Sequence, residues 1–418
     1  MKNKLLCAVA ALWVVGASPA LADTVCEWVD FSDKIITAAA PPAGTPRTPD
    51  HDRAGTHVSL AMFEALNAID RRYESYVGMT AGDRTASQDA AAATAAYKVL
   101  LHHYPSQRTA LDESYAIAME AVTDARAREA GKTIGEEAAT KALATGAIDA
   151  AIRPAQYRPR TRPGEWIGAQ LPAFEPFTTT FRPWAIPNVE ALRPPPPPAL
   201  NSARWARDYD EVRRLGARNS TERTAHQTLM ARYRITPNMA PTMRMVADAP
   251  GRRLVDNARM FALAGMAADD AGMAMAAAKL HYNYWRPITA IRNAAEDGND
   301  ATAPQDDWVP LINTPNHPEY PCGHCTFAGA TAEVMQALTG NAPPGGVRVS
   351  SYSIPNAAVQ ALPSWNEWVQ QVSNSRIYGG VHYRFSNEAG EQIGRRAARH
   401  VLERALKPLP RDQQRPAA

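Results

Sequence analysis

The sequence predicts an all-α protein, a helical-bundle body in two halves joined by a proline-rich connection. Three observations carry this. Apolar residues recur at three- and four-residue intervals through most of the chain. Alternating strand-like runs are almost absent. The 34 prolines are clustered, ending in an unbroken run from Pro194 to Pro198. With 418 residues, 45% of them apolar and 21% charged, the chain has ample material for a packed core and too little net charge for disorder.

The first element reads as a leader. Lys2 and Lys4 precede the apolar run Leu5 to Val15, and small residues follow as far as Ala22. That order is the pattern of a secretory signal peptide over residues 1–22, removed near Ala22 to leave a periplasmic or secreted protein. The run is too short for a transmembrane anchor, which needs about 20 apolar residues. Cys7 lies inside the run, so Cys26, Cys322 and Cys325 remain afterwards, an odd number that leaves at least one thiol unpaired within the chain.

The N-terminal helical half occupies residues 23–152. Val58, Met62, Leu66 and Ile69 predict a helix from His57 to Tyr76. The alanine run predicts another from Ala90 to Leu101. Ser106 is expected to cap a third through Leu111, Tyr115 and Val122, and a fourth spans Ile134 to Ala144. From 153 to 200 the pattern dissolves into Arg, Pro, Trp and Gly, which no regular helix tolerates. The C-terminal half, 201–418, resumes with helices predicted at Ser202 to Ala217 and, with Asn219 and Glu222 as start signals, Ser220 to Arg234. A long one follows from Arg253 to Tyr284. The last three are predicted at Gly323 to Leu338, Asn356 to Val372 and Asn387 to Leu406.

Formal charge is +3, falling to +1 without Lys2 and Lys4. No basic excess exists to neutralise a run of phosphates, so nucleic-acid binding is excluded as the main task. Any anion site must be local, and three segments supply one. In the first, Lys279 and Arg286 lie seven residues apart, which on a helix places them on one face, while Pro287 biases Arg286 away from helical backbone. In the second, Pro321-Cys322-Gly323-His324 opens a helix. Gly323 admits close approach of an anion to free N–H groups, and His324 stands there as an acid or base. The third, Ser375 to Ser386, brings Arg376, a Gly-Gly break and His382 ahead of a helix that Ser386 is expected to cap. His281 points to another helical face than Lys279, and His317 and Glu319 are placed at the entrance. Cys322-Gly-His-Cys325 also fits the Cys-x-x-Cys redox motif, but that reading requires a βαβ frame the chain does not offer.

Together these segments resemble the vanadium-dependent haloperoxidase and type 2 phosphatidic acid phosphatase superfamily, with its order Lys-x6-Arg-Pro, Pro-Ser-Gly-His, Ser-Arg-x5-His-x3-Asp. Residues Ala65 to Asp70, the Trp/Pro-rich middle and Trp285 to Arg292 look like exported bacterial haloperoxidase-type members. The resemblance implies that Lys279, Arg286, Arg376, Cys322 and the Gly323 N–H surround an oxyanion. It implies vanadate bonded to His382, with His324 moving a proton, in a peroxidase that uses hydrogen peroxide and halide. The alternative it implies is a phosphatase acting on a phosphate monoester, with His382 as nucleophile and His324 protonating the leaving group. A non-catalytic oxyanion binder is the third reading. Two residues depart from the pattern: Cys322 replaces Ser, and Ser386 replaces Asp, removing the usual carboxylate. Halide preference and oligomeric state are not written in these motifs.

Overall fold

The computed structural model describes residues 23–40, 49–146, 160–168, 182–235, 240–351, 353–354 and 356–414. The leader and much of the connection, 147–159 and 169–181, lie outside them. The architecture is all-α. In the first half, α1 (Thr24–Ala38), α2 (Pro49–Ile69), α3 (Gln88–His103), α4 (Arg108–Glu120) and α5 (Ala125–Ala144) bundle around α2 and α3. The second half holds α6 (Ala203–Gly216), α7 (Ala225–Tyr233), α8 (Ala240–Ala247), α9 (Leu254–Tyr282) and α10 (Pro287–Arg292). It ends with α11 (Gly323–Thr339), α12 (Trp365–Tyr378) and α13 (Arg384–Arg404).

The long α9 is the axis. It packs against α2 on one side and against α11 and α13 on the other. One apolar core therefore runs through both halves, from Leu60 and Phe63 through Phe261 and Met266 to Val334 and Val401. Alanines and glycines let the helices come close. At Gly394 of α13 an added Cβ would sit 2.0 Å from the Thr326 carbonyl oxygen of α11, and at Gly390 it would sit 2.3 Å from that of Cys322. Only a residue without a side chain permits that approach.

Several predicted boundaries shift, each for a local reason. The helix predicted to reach Tyr76 stops at Ile69. The Asn67 side chain accepts from the N–H groups of Arg72 and Tyr73, and Glu64 accepts from those of Tyr76 and Val77, so side chains replace helical carbonyls. Ser106 lies in a 3-10 turn, Pro105–Gln107, and does not cap α4. The helix predicted from Ile134 begins at Ala125, capped by Asp124. α7 starts at Ala225, where Thr224 and Gln227 form a reciprocal capping box in place of Asn219 and Glu222. The helix predicted from Asn356 begins at Trp365, capped by Ser364. Before it, Val347–Val349 and Gln360–Leu362 pair as antiparallel β1 and β2, with Val347 opposite Leu362. Ser386 lies inside α13, whose N-cap is Tyr383.

Parts of the connection hold the functional loops. Trp285 donates from its N–H to the Gly164 carbonyl, and Trp166 donates to that of Asn283. The Tyr282 hydroxyl donates to the Pro194 carbonyl and that of Tyr320 to Pro195. A second core, of Trp205, Tyr284, Trp285, Tyr320, Tyr383 and Phe385, fills the space behind. Among the described residues, no helix is long and apolar enough to cross a membrane.

Candidate active site

Three loop-to-helix junctions meet where α9, α11, α12 and α13 converge. α9 does not continue to Arg286, so the two cations do not share a helical face as predicted. Asn283 closes the helix in the left-handed region, at φ 44°. The chain reverses, and Pro287 holds Arg286 extended at ψ 155°, the bias expected for a residue before proline. Lys279 and Arg286 converge because the chain folds back.

Both are buried, as is Arg376 on the last turn of α12. Lys279 Nζ donates to the carbonyls of Pro318 and Glu319, each at 2.8 Å. Arg286 donates to the carbonyls of His317 and Val381 at 2.9 and 2.8 Å, to His317 Nδ1 at 2.9 Å and to His382 Nε2 at 3.2 Å. Arg376 reaches the Arg234 carbonyl at 3.3 Å, and its buried Nε has no partner. None of the three forms a salt bridge among the described residues. Burial, with Arg286 alongside, pushes Lys279 down to about 7. Burial likewise lowers Arg286 to about 10, and it lowers Arg376, where the nearby sulfurs pull upward. Three charges with this little solvent and only the Glu319 carboxylate near them are costly, and a bound anion offsets that cost.

His382 sits among them, buried, after the Gly379-Gly380 break. Its Nδ1 lies 2.6 Å from Glu319 Oε1, an oxygen that also accepts from the Tyr383 N–H at 3.1 Å. Nδ1 is therefore the protonated nitrogen, and the Nε2 lone pair faces Arg286. Burial and the Arg286, Lys279 and Arg376 charges hold the imidazole well below its ordinary range, so it is neutral. Glu319 itself is pushed up to about 7 by burial, against the pull of Arg286, Lys279 and the neighbouring Ser386 hydroxyl.

This corrects two expectations. Glu319 does not line the entrance; it is fully buried behind His382. The carboxylate that Ser386 fails to provide is supplied by Glu319, next to the Ser386 hydroxyl. The sequence signal for it was a lone acidic residue three positions before Cys322, with nothing in its spacing to link it to His382. His317 does reach the site, half-buried against Arg286, whereas His281 is exposed and packs edge-on against Tyr282.

α11 supplies the last wall. Cys322 is its N-cap, and the N–H of Cys322 donates to the Ser386 carbonyl, tying this turn to α13. Among the described residues no carbonyl accepts from the N–H groups of Gly323 and His324, which are the free donors of a helix start. Half-buried His324 donates from Nε2 to the Ile235 carbonyl at 2.9 Å, which leaves Nδ1 as its proton-accepting nitrogen. Burial, then Arg376, lowers its pKa to about 3, so it too is neutral. Cys322 and Cys325 are buried free thiols. Among the described residues no strand and no βαβ frame precede them, so the Cys-x-x-Cys redox reading lacks its scaffold. All seven predicted site residues thus stand around one cationic pocket.

Residues 259–410 match the family model for the VCPO second helical-bundle domain, a stretch containing every one of those seven residues. Vanadium chloroperoxidase of Curvularia inaequalis is 28% identical over 173 residues, covering 34% of this chain. Residues 259–410 are thus similar to the second helical-bundle domain of the vanadium haloperoxidase family. Against that curated relative the match spans only 28% of the relative's length. The fold likeness to solved family members is wider. A bacterial vanadium-dependent iodoperoxidase superposes with a TM-score of 0.73 at 23% identity, over 95% of this chain and 98% of the other. An apo-type bacterial vanadium-dependent chloroperoxidase gives 0.67 at 18%, over 88% and 97%. The matched stretch contains Lys279, Arg286, Gly323, His324, Arg376 and His382, together with the two substituted positions, Cys322 and Ser386.

Proposed function

We propose that this protein is an exported vanadium-dependent haloperoxidase-type enzyme that oxidises a halide with hydrogen peroxide. The observation carrying the proposal is the convergence of three buried cations, none in a salt bridge among the described residues, on a neutral imidazole with its Nε2 turned toward them. Vanadate suits that donor set. Lys279, Arg286, Arg376 and the Gly323 N–H would hold its oxygens, and His382 Nε2 would bond the metal. Bound there, vanadate supplies a Lewis acid that keeps its oxidation state while peroxide is the oxidant.

The chain's own residues do the rest. Glu319 fixes the His382 tautomer and raises the basicity of Nε2. The three cations balance the charge of the oxyanion in a site poor in water. His324, neutral and anchored through Nε2, accepts a proton at Nδ1 from an incoming peroxide and returns it to a leaving hydroxide.

A second reading, a periplasmic phosphomonoesterase with His382 as nucleophile, is favoured by the sulfur content of the pocket. Cys322 and Cys325 stand beside it, and Met275 Cε lies 3.6 Å from where a Cβ on Gly323 would be. A hypohalous product would attack all three. One comparison separates the readings. Purified protein is assayed with vanadate, peroxide and bromide, and separately with p-nitrophenyl phosphate. Bromination that requires vanadate supports the first; hydrolysis that vanadate suppresses supports the second. Vanadate binding with neither activity leaves a non-catalytic binder. An activity that survives His382→Ala refutes the site in either form. Export is tested on the same material: the mature N-terminus from the cell envelope should be Asp23.

A further inference from the structure

We propose that Cys322 and Cys325 form a peroxide-oxidisable dithiol inside the oxyanion pocket, closing to an intramolecular disulfide in competition with the bound anion. The two Sγ atoms are 2.7 Å apart, in the first turn of α11, and both side chains are buried. The Cys-x-x-Cys spacing at a helix start brings the second thiol back over the first. Cys322 Sγ also accepts from the Cys325 N–H at 3.3 Å, so the pair is already oriented. The proposal takes from the haloperoxidase reading one element, that peroxide enters this pocket.

The two thiols are not equivalent. Burial raises Cys322, but the Cys325 thiol, Arg376, the Cys325 N–H and Lys279 together outweigh it and bring it below its ordinary value. Cys325, raised by burial and by Cys322 itself, stays protonated. Cys322 is therefore the attacking sulfur and Cys325 the resolving one. The Cys322 thiolate attacks one peroxide oxygen: an S–O bond forms, the O–O bond breaks, and hydroxide leaves as water after taking a proton. Cys325 then attacks the sulfenic sulfur. The S–S bond forms, the S–O bond breaks, and the Cys325 proton leaves with the hydroxyl as a second water. The thiols lose two electrons, and one peroxide becomes two waters.

The consequence falls on the anion site. Bridged Cys322 has no S–H, so the donors facing an anion reduce to the three cations and the helix N–H groups. In the other direction, an anion in the pocket blocks peroxide and neutralises the cations that favour the thiolate. Both effects slow the oxidation.

Peptide mapping tests this without halide or vanadate. The full chain is reduced, desalted, exposed to a small excess of peroxide at neutral pH, alkylated and digested with trypsin. Residues 293–348 carry both cysteines and end at Arg348. The expected result is a peptide lacking two hydrogens that takes no alkyl group, restored to two alkyl groups by a phosphine reductant. Saturating inorganic phosphate should slow its appearance several-fold. Cys325→Ser should stop at a dimedone-trappable sulfenic acid on Cys322; if that variant fails to fold, the wild-type map decides alone. Two thiols still alkylated after peroxide, over-oxidation of Cys322 without bridging, or indifference to phosphate would each overturn the proposal. A protein that bridges but never brominates keeps this inference and loses the enzyme reading. One that brominates without bridging does the reverse.

Discussion

At Glu319 a single carboxylate oxygen holds both the His382 Nδ1 and the Tyr383 N–H, so one side chain fixes the imidazole and the backbone that presents it. Its negative charge has two opposite effects. It makes Nε2 a better donor to a metal, and it weakens the attraction of the pocket for any anion. Glu319→Gln separates them. The amide can still accept from Tyr383, but the charge is gone. Vanadate affinity, which on the proposed reading needs the bond to Nε2, should fall by about tenfold, the lower end of the range for partners of metal-bound histidines. Sulfate affinity, which needs only the cations, should not fall. Adding Ser386→Asp to that variant should restore part of the vanadate affinity, because position 386 borders the same carboxylate. Equilibrium dialysis with each anion reads both; equal losses for vanadate and sulfate would reduce Glu319 to a packing residue. Lys279, Arg286, Arg376, His324 and His382 were legible in the sequence because their spacing repeats a known order. Glu319 was not, since what brings it to His382 is a contact across 63 positions of chain.

At the scale of elements, the site exists because α11 and α13 pack unusually close, which sets the Cys322 turn against the His382 loop. Gly394 is the tightest point of that crossing. Gly394→Ala should destabilise the protein by roughly 1–3 kcal/mol, the usual cost of overpacking. It should also weaken phosphate binding, although the residue is far along the helix from the anion donors. Chemical denaturation and calorimetry measure the two effects; a stable variant with unchanged phosphate affinity would mean that the helices can separate without moving the site. Long helices were readable from periodicity: α9 is displaced by a residue or two from its predicted ends, and α11 by one at its C-terminus. What periodicity missed were α1, the short helices α8 and α10, and the β1–β2 pair, which are small and defined by what they pack on. The missed helix starts at Asp124, Thr224 and Ser364 share a cause. Several polar residues in each stretch can cap, and the one that does accepts from an N–H two or three positions on.

At the scale of the whole molecule, a formal charge of +3 says little about anion binding, because the charges that matter are brought together from α9, the loop after it and α12. Those charges also make the binding dependent on pH. Lys279 is pushed down to about 7 in the free protein, from an ordinary value of 10.5. Between those values the unfolded chain holds a proton that the folded chain has lost, so on this account alone the anion-free protein gains stability as pH rises. Anion binding has the opposite sign. A bound oxyanion favours the charged ammonium, so above pH 7 each binding event takes up a proton and affinity falls, by at most about tenfold per pH unit. Glu319, pushed up to about 7, adds to the same trend, since its protonation on the acid side removes a repelling charge. Sulfate is the right probe, because it does not itself titrate in this range. Its stabilisation of the fold by mass action should be larger at pH 6 than at pH 8.5, measured as the rise in melting temperature over sodium chloride of equal ionic strength. Lys279→Gln should bind more weakly and flatten the basic limb. A rise of equal size at both pH values in the native protein would show that Lys279 keeps its proton throughout, and that the pocket is better solvated than its geometry indicates.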